Sequence, residues 1–511
     1  MTSGRAGHLV RSASIVMAAF AVDKVVGFVR QAVIARAFGV GADLDAYFAA
    51  FQLPDLIFTL ISGGALATAF IPILSERLAH DDPAGGWRLT SAVINVVFVV
   101  VSLLSLLAAL LAPLLVRAVI APGFSPAEQQ LTANLMRLVL LSTIIFSVSG
   151  IVMGVLNAHQ HFLLPAVAPI FYNLGLIFGA LALTSRWGTF GLVFGAIIGA
   201  AAHLLIQVPG LIRYGARYSP TLGLRNAHLW QVLRLMGPRV VALVIIKINF
   251  LVLFNLASRL GEGSVSALNF GWLLMQLPQT IIGTALGIVL FPTLSELAAR
   301  GNIDGLRTTL SQALRIMVAL SLPATVGLIA LGVPLIQILF QRGEFDQAAT
   351  LAVYGALRFW ALALLGHAAL EVVNRTFYAQ KDTVTPLYAA AVAMVINLAL
   401  ALLLYRPLDA GGLALSNAVA VSGEVLLLLL IAHRRLAGVE AGRMAATLGR
   451  AILAAAVMSA AIFAFRLVLP QAGPLLYGFG GGLIGLAAYI AAGLLLRIEE
   501  FQLMPQLAWR R

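Results

Sequence analysis

Three charged residues lie inside the first long apolar segment of the chain, where a membrane-spanning helix would bury them. Asp23, Lys24 and Arg30 fall within residues 13–36. Asp23 and Arg30 are seven residues apart and share one helical face, whereas Lys24 lies on an adjacent face. Each charge at membrane depth costs roughly 2.5–3.5 kcal/mol on insertion scales. One interpretation is an internal ion pair, with Lys24 extending to an interface. The other is a cationic site for an anionic substrate.

Polar residues also form a stripe along the second span. They recur at spacings of three and four residues and comprise Gln52, Asp55, Thr59 and Ser62. This spacing places them on one face of an otherwise apolar helix, and lipid would not tolerate such a face. The stripe therefore faces either a cavity that binds substrate or a neighbouring helix that accepts its hydrogen bonds. The eighth span has comparable polar side chains, among them Gln276, and Lys247 lies inside the seventh span.

These groups predict ligand binding rather than covalent chemistry. The sequence contains no cysteine, which excludes disulfides, thiolate metal sites and cysteine nucleophiles. Its eight histidines are scattered without zinc-type spacing, and it has no G-x4-GK[ST] motif for ATP. We therefore expect no catalytic residue, no metal and no cofactor. Arginine and lysine suit phosphate and pyrophosphate, so the predicted ligand carries an anionic headgroup.

The elements that must position these residues are long apolar segments with short polar breaks. Hydrophobic residues make up 61% of the 511 residues, and charged residues make up only 10%. A membrane helix requires about 20 mostly apolar residues, so the prediction is an all-α integral membrane protein with about fourteen spans. These spans are predicted at 13–36, 46–74, 91–116, 133–157, 163–184, 189–212, 236–258, 265–292, 310–334, 349–374, 385–405, 411–432, 447–468 and 475–496.

The basic residues follow the topology of these spans. Most of the net charge of +13 sits in alternate short loops, such as those near 75–90, 213–235 and 297–309. The opposite loops carry mostly single basic residues. By the positive-inside rule, this alternation predicts that both termini are cytoplasmic. Because topology accounts for the basic residues, the positive net charge does not indicate a nucleic-acid-binding surface.

The sequence contains an internal repeat. Residues 63–79 align with residues 283–299 through the shared pattern G-x-A-L-x5-P-x-L-S-E-x-x-A. Because six spans separate the two copies, they have the same orientation and form a parallel repeat. The predicted parts are an N-terminal lobe (1–212), a cytoplasmic linker with an amphipathic helix (213–235), a C-terminal lobe (236–434), and two extra helices with a cytoplasmic tail (435–511). Two facing six-helix lobes predict alternating access.

Several blocks of the sequence resemble one family. They include GFVRQAVIARAFGVGADLDAYFAAFQLPDL (27–56), GGALATAFIPILSE (63–76), LFQRGEFD (339–346) and FYAQKDTVTP (377–386). These blocks resemble the MurJ (MviN) family, and the resemblance extends over essentially the whole chain. It implies the fold of the multidrug/oligosaccharidyl-lipid/polysaccharide exporter superfamily. It also implies a lipid II flippase of peptidoglycan biosynthesis in the bacterial cytoplasmic (inner) membrane. It implies that the protein is a monomer whose partners are lipid II and membrane lipids. No nucleic-acid partner is implied.

The resemblance assigns site positions residue by residue. The family's two first-span cations fall on Lys24 and Arg30, and the acidic residue that opens its second span falls on Asp45. Ser264 falls in the matching turn before the eighth span. The complete predicted substrate site comprises Lys24, Arg30, Asp45, Asp55, Ser62, Lys247, Ser264 and Gln276.

The chain departs from the family at two positions that are usually basic, which hold Phe58 and Leu273. Lys247, together with Arg358, could replace these charges by position. The departures leave alternatives open. One is a flippase for another polyprenyl-pyrophosphate-linked oligosaccharide. Another is a cation-coupled drug antiporter, although that class should favour acidic groups in its cavity. Which ion, if any, drives the transport cycle stays open. The last is a non-transporting scaffold of cell-wall synthesis, which would not need charges at membrane depth.

Overall fold

A computed structural model describes residues 3–61, 64–80 and 82–501, and helices are its only regular secondary structure. The α-helices are α1 (Ser3–Phe38), α2 (Ala42–Ile61), α3 (Gly64–Ala79), α4 (Pro83–Leu110), α5 (Ala112–Leu115), α6 (Pro126–Ala158), α7 (Leu163–Phe178), α8 (Thr184–Trp187), α9 (Thr189–Leu205), α10 (Val208–Arg213), α11 (Ala227–Ala257), α12 (Ser264–Gln279), α13 (Ala285–Ala299), α14 (Ile303–Ala330), α15 (Gly332–Phe340), α16 (Gln347–Ala379), α17 (Val384–Arg435), α18 (Ala441–Val468) and α19 (Gly481–Leu495). Short π-helical turns occupy Val116–Ile120, Gly179–Leu183, Thr280–Thr284 and Leu476–Gly480.

Within the described ranges, eleven helical segments are long and apolar enough to cross a membrane. The longest is α17, whose 52 residues would extend about 78 Å, roughly twice the thickness of a bilayer. Its backbone breaks at Asp409, where φ is 49°, so one span lies on each side of the break. Helices α1 and α11 occupy the predicted first and seventh spans. The prediction of an all-α membrane protein is confirmed, and these elements are consistent with fourteen spans.

The contacts divide the chain into two units, Met1–Arg259 and Leu260–Arg511. In the first unit, α6 contacts α2, α4 and α9, while α7 contacts both α1 and α9. In the second unit, α16 contacts α12, α14 and α17, and α18 contacts α14 and α19. The predicted boundary between linker and second lobe, at residues 235 and 236, falls within α11, and this helix packs against α2 and α3 of the first unit. The predicted lobe boundaries stay a prediction.

Glycines allow α7 and α9 to approach closely. Gly175 and Gly179 are four residues apart along α7 and the turn after it, and α9 carries Gly191, Gly195 and Gly199 at the same interval. A Cβ atom added to Gly179 would lie 2.7 Å from the Cα of Gly195. Small residues at four-residue intervals are typical of membrane helices whose backbones touch. This packing fixes the position of α7, which carries side chains of the candidate site.

We expect Gly195→Leu to destabilise the protein by about 1–3 kcal/mol, because a larger side chain must separate two helices that touch. Thermal unfolding of the detergent-purified protein would measure the loss. Gly423→Leu is the matched control, since an added Cβ at this helical glycine meets nothing within 4 Å. Equal destabilisation by both substitutions would contradict the close-packing explanation.

Arg315 of α14 anchors the C-terminal part of the chain and is only 5% exposed. Its Nε donates to Oε1 of Glu500 at 2.7 Å, and its Nη1 donates to Oε2 of Glu440 at 2.6 Å. Thr447 of α18 also donates to Glu500, at 3.3 Å, and the hydroxyl of Tyr489 in α19 donates to a carbonyl of α14 at 2.8 Å. Burial by itself would raise the pKa of Glu440, but the hydrogen bond from Arg315 holds that pKa below its usual range. These bonds attach the two extra C-terminal helices to α14.

We expect Arg315→Met to destabilise the protein by about 3–5 kcal/mol, because the substitution leaves the buried Glu500 without its cation and Glu440 with only Arg443, at 3.4 Å. The control is Arg300→Met, which removes an exposed ion pair with Glu296 and should change the free energy of unfolding by less than about 1 kcal/mol.

The stability of the wild type should depend on pH through Glu440. The contribution of Glu440 to the free energy of unfolding should be fully present above its unfolded-state pKa and lost as pH falls through the lowered folded-state pKa. Chemical unfolding at several pH values would measure both effects.

Candidate functional site

The two charges on one face of α1 are joined by an amide from α7. Nη1 of Arg30 donates to Oδ1 of Asn173 at 2.8 Å, and Nδ2 of Asn173 donates to Oδ1 of Asp23 at 2.9 Å. Gly27 lies one turn from each charge, and a Cβ atom there would be 3.6 Å from the Asn173 amide. The predicted internal pair of Asp23 and Arg30 therefore exists as a bridge through Asn173 rather than as direct contact.

Arg30 and Lys24 keep part of their hydrogen-bonding capacity. Nε of Arg30 is buried and has no acceptor in the part of the chain that the structure describes. A buried donor without a partner costs about 1–3 kcal/mol, and a charged one costs more. The Lys24 side chain is exposed, as the adjacent-face prediction requires. An anionic ligand would satisfy the free donor of Arg30.

A cavity of about 290 Å³ lies against α2, enclosed by α6, α7 and α9. Asp55 lies on its wall, together with Phe58, Tyr172 of α7 and His203 of α9. The Asp55 side chain is accessible to solvent because it faces this open space. Of the two interpretations of the polar stripe, the structure favours a cavity-facing surface at Asp55.

The other predicted residues near α2 differ in their surroundings. The side-chain amide of Gln52 donates to the backbone carbonyl of Phe48 at 3.3 Å, within its own helix. Asp45 lies in the first turn of α2 and is fully buried, so it is placed to stabilise the helix N-terminus. Ser62 lies outside the described residues.

Lys247 of α11 adds a positive charge to the site that contains Arg30 and Asp55. It lies beside Gln52 on the wall of a small cleft of about 40 Å³. Asp55 lies within electrostatic range of both Lys247 and Arg30. The structure therefore gathers Arg30, Asp55 and Lys247, from three helices of the first unit, into one cluster. This Arg30–Asp55–Lys247 cluster has a net charge of +1 when all its groups are ionised, which suits an anion.

A buried network beside the cavity was not predicted from the sequence. The Nδ1 atom of His203 lies 2.7 Å from the hydroxyl of Ser149, which accepts from Nε2 of Gln207 at 2.8 Å. The ring of Phe146 packs edge-on against His203, with centroids 5.1 Å apart. Asn173 and His203 could have been found by the criterion that singled out Asp55, namely a polar side chain at membrane depth.

The remaining predicted residues belong to the second unit. Ser264 is the first residue of α12, directly after Gly263, whose φ is 82°. Gln276 lies on the same helix, twelve residues on, which is about 18 Å along the axis. Its carbonyl accepts from the Thr280 hydroxyl at 2.9 Å. The structure does not bring Ser264 and Gln276 to one place. Arg358 lies over the ring of Phe359, with its guanidinium carbon 4.9 Å from the centroid.

Comparison with solved structures supports the fold. A structure titled "Lipid II flippase MurJ, inward closed conformation" has a TM-score of 0.80 and 24% identity, and the alignment covers 94% of this chain and 98% of that one. A structure titled as the inward-facing conformation of a multidrug resistance MATE family transporter of the MOP superfamily has a TM-score of 0.69 and 16% identity. That alignment covers 80% of this chain and 94% of the other. At these identities, the likeness shows the fold alone.

Sequence comparison supplies the family. The family model described as lipid II flippase MurJ matches residues 34–476. A protein of Rhizobium tropici named "Probable lipid II flippase MurJ" is 31% identical, over 81% of this chain and 79% of its own length. The "Lipid II flippase MurJ" of Burkholderia cenocepacia is 30% identical, over 81% of each chain. The chain therefore belongs to the lipid II flippase MurJ family, a family of membrane transporters rather than enzymes.

Proposed function

We propose that this protein is a lipid II flippase. It moves the undecaprenyl-pyrophosphate-linked peptidoglycan precursor from the cytoplasmic to the outer leaflet of the bacterial inner membrane, by alternating access, for cell-wall synthesis. The observation that carries the proposal is the Arg30–Asp55–Lys247 cluster beside a cavity, in a chain of this family. A pyrophosphate offers several acceptor oxygens and negative charge to the guanidinium of Arg30 and to the ammonium of Lys247.

The same residues favour an anionic substrate over a cationic one. Two cations and one carboxylate leave the cluster positive, whereas a site for a cationic drug should be acidic. Asp55 has a separate role in this proposal. While the site is empty, the carboxylate of Asp55 reduces the electrostatic repulsion between Arg30 and Lys247. When pyrophosphate is bound, Asp55 competes with it for these cations, which allows the ligand to leave.

The rest of the proposal concerns the path of the substrate. The headgroup enters from the cytoplasm, near the exposed Lys24, and the polyprenyl tail stays in the lipid. Both chain termini are cytoplasmic, and one chain forms the working unit. No ATP site motif occurs in the sequence, so the energy comes from an ion gradient, the membrane potential or consumption of the product.

We expect Arg30→Ala and Lys24→Ala to lower flipping at least tenfold, because hydrogen bonds to charged groups contribute about 1.5–3 kcal/mol. The measurement is complementation of bacteria depleted of their own lipid II flippase, at matched expression. Wild type should restore growth, and the alanine variants should lyse. Arg36→Ala is the control, since this exposed arginine lies in the last turn of the same helix.

The outcome for the wild type separates the substrates. If well-expressed, correctly inserted wild type fails to rescue growth, lipid II is the wrong substrate. A flippase for another polyprenyl-pyrophosphate-linked oligosaccharide would then be the better assignment, given Phe58 and Leu273 at usually basic positions. If Arg30→Ala and Lys24→Ala rescue as well as wild type, the cationic site on α1 is wrong.

We expect Lys247→Glu to abolish flipping, because it reverses the charge of the cluster beside Asp55. Lys247→Arg should retain flipping because it keeps the charge, and Lys247→Gln should lose at least tenfold. Flipping in proteoliposomes, with protein insertion checked for each variant, would measure these effects. Normal transport by Lys247→Gln would show that Lys247 does not bind the substrate.

A further inference from the structure

The segment that joins α10 to α11, together with the first turns of α11, carries positive charge without an acidic residue of its own. Arg217, Arg225 and Arg234 are exposed, and their guanidinium groups form no ion pair or hydrogen bond within the described ranges. The sequence has no Asp or Glu between Glu128 and Glu262. A partner outside the chain can therefore supply the counter-charge of these arginines.

Large apolar side chains lie between these arginines and are also exposed. Tyr218 is 67% exposed and Trp230 is 54% exposed. The side chains of Leu222, Leu224 and Leu235 are exposed as well. Aromatic and aliphatic residues interleaved with arginine are typical of a segment that lies in a membrane–water interface. We call residues 217–235 the basic interfacial surface.

The first turns of α11 have two different faces. Leu229 and Val232 are fully buried, because this face of the helix packs against the first unit, where α11 contacts α3 and α4. Trp230, Arg234 and Leu235 point away from that contact and are exposed. Packing inside the described part of the chain explains the first face. It does not explain a tryptophan and a leucine on the second.

The extended part of the surface lies at the depth of the membrane boundary. The side-chain amide of Asn95 donates to the backbone carbonyls of Ser219 at 2.9 Å and Thr221 at 2.8 Å. The hydroxyl of Tyr218 donates to Oδ1 of Asn95 at 2.7 Å. Asn95 belongs to α4 and lies four residues inside the predicted third span, 91–116. These bonds therefore hold the extended chain beside the first turn of a membrane-spanning helix.

The helical part of the surface lies at a similar level. Trp230 precedes the predicted seventh span, 236–258, by six residues, which is at most about 9 Å along the helix axis. The polar headgroup layer is about 5–8 Å thick on each side of the hydrocarbon core. The indole Nε1 of Trp230 donates to the carbonyl of Leu224 at 2.8 Å, which joins the helix to the extended part. Both parts therefore lie at the level of the lipid headgroups.

We propose that the basic interfacial surface binds anionic phospholipids of the cytoplasmic leaflet. Their phosphate groups pair with Arg217, Arg225 and Arg234, since a guanidinium group suits phosphate geometry. The exposed apolar side chains insert among the headgroups. An acidic cytosolic protein could match the charge, but a headgroup matches both the charge and the depth.

The inference goes beyond the proposed function, because these phospholipids are not transported. It takes only the side of the membrane from the predicted topology. It also gives the surface a structural consequence. Because α11 carries Lys247 as well, bound phospholipid anchors the start of the helix that places this charge beside Asp55.

The test uses the full-length protein in vesicles, with a fluorophore at one position. The sequence has no cysteine, so Leu222→Cys provides a single attachment point. The vesicles are phosphatidylcholine with a small fraction of nitroxide-labelled phosphatidylglycerol or, in parallel, nitroxide-labelled phosphatidylcholine. We expect both labelled lipids to quench the fluorophore. Phosphatidylglycerol should do so at less than about one tenth of the content, because each arginine near the surface contributes about fivefold.

The variants remove the charge from the surface or from elsewhere. In the labelled background, Arg217→Gln with Arg225→Gln should lower the preference for phosphatidylglycerol by about fivefold for each arginine removed. Arg117→Gln with Arg186→Gln is the matched control, since both arginines are exposed in loops predicted on the opposite side of the membrane. This control should keep the preference. High salt should weaken the preference of the protein with its arginines intact, because salt screens exposed charges.

Three results would overturn the inference. Absence of quenching by either lipid would show that the surface faces water or a protein. Equal quenching by both lipids at low salt would show membrane contact without recognition of charge. An unchanged preference after removal of Arg217 and Arg225 would exclude these residues, and if that variant does not fold, an unchanged preference in high salt decides in the same way. Because the vesicles contain no lipid II, each of these results leaves the proposed function intact, and failed complementation leaves this inference intact.

Discussion

The organisation of the polar groups follows from the cost of placing charge where water is absent. Asp23 and Arg30 lie inside the first span, and Asn173 supplies each with a hydrogen bond. Glu371, near the end of the tenth predicted span, forms an ion pair with Arg375, which directly follows that span. Asp55 instead faces a cavity within reach of two cations. Pairing, bridging and exposure to a cavity are the ways in which a membrane-embedded chain can keep such groups.

Helix packing is what makes these arrangements possible. The glycines of α7 and α9 let the two helices touch, and this contact fixes the rotation of α7. Two adjacent residues of α7 then contact different parts of the site. Asn173 joins the charges of α1, while Tyr172 lines the cavity beside Asp55. The small residues of α7 and α9 therefore help to determine where the charges of the site lie.

The two units differ in the chemistry they offer. The first unit gathers a net positive cluster in which Arg30 retains a buried donor. The second unit instead pairs Glu371 with Arg375, which leaves this pair neutral. Family membership supports a flippase of lipid-linked headgroups.

The sequence by itself determined the class of the protein, its helical spans and the polar faces of individual helices. It could do so because membrane thickness sets the length of an apolar segment, and helical periodicity sets which residues share a face. Its family blocks also indicated the function. The partners of these polar groups became known from the packing of the helices. Asn173 lies 143 residues from Arg30 in sequence, and Lys247 approaches Asp55 from α11, which packs with the first unit. Periodicity specifies a face but not the helix opposite it, because that choice depends on where residues without a side chain, such as Gly179 and Gly195, allow two backbones to pack closely.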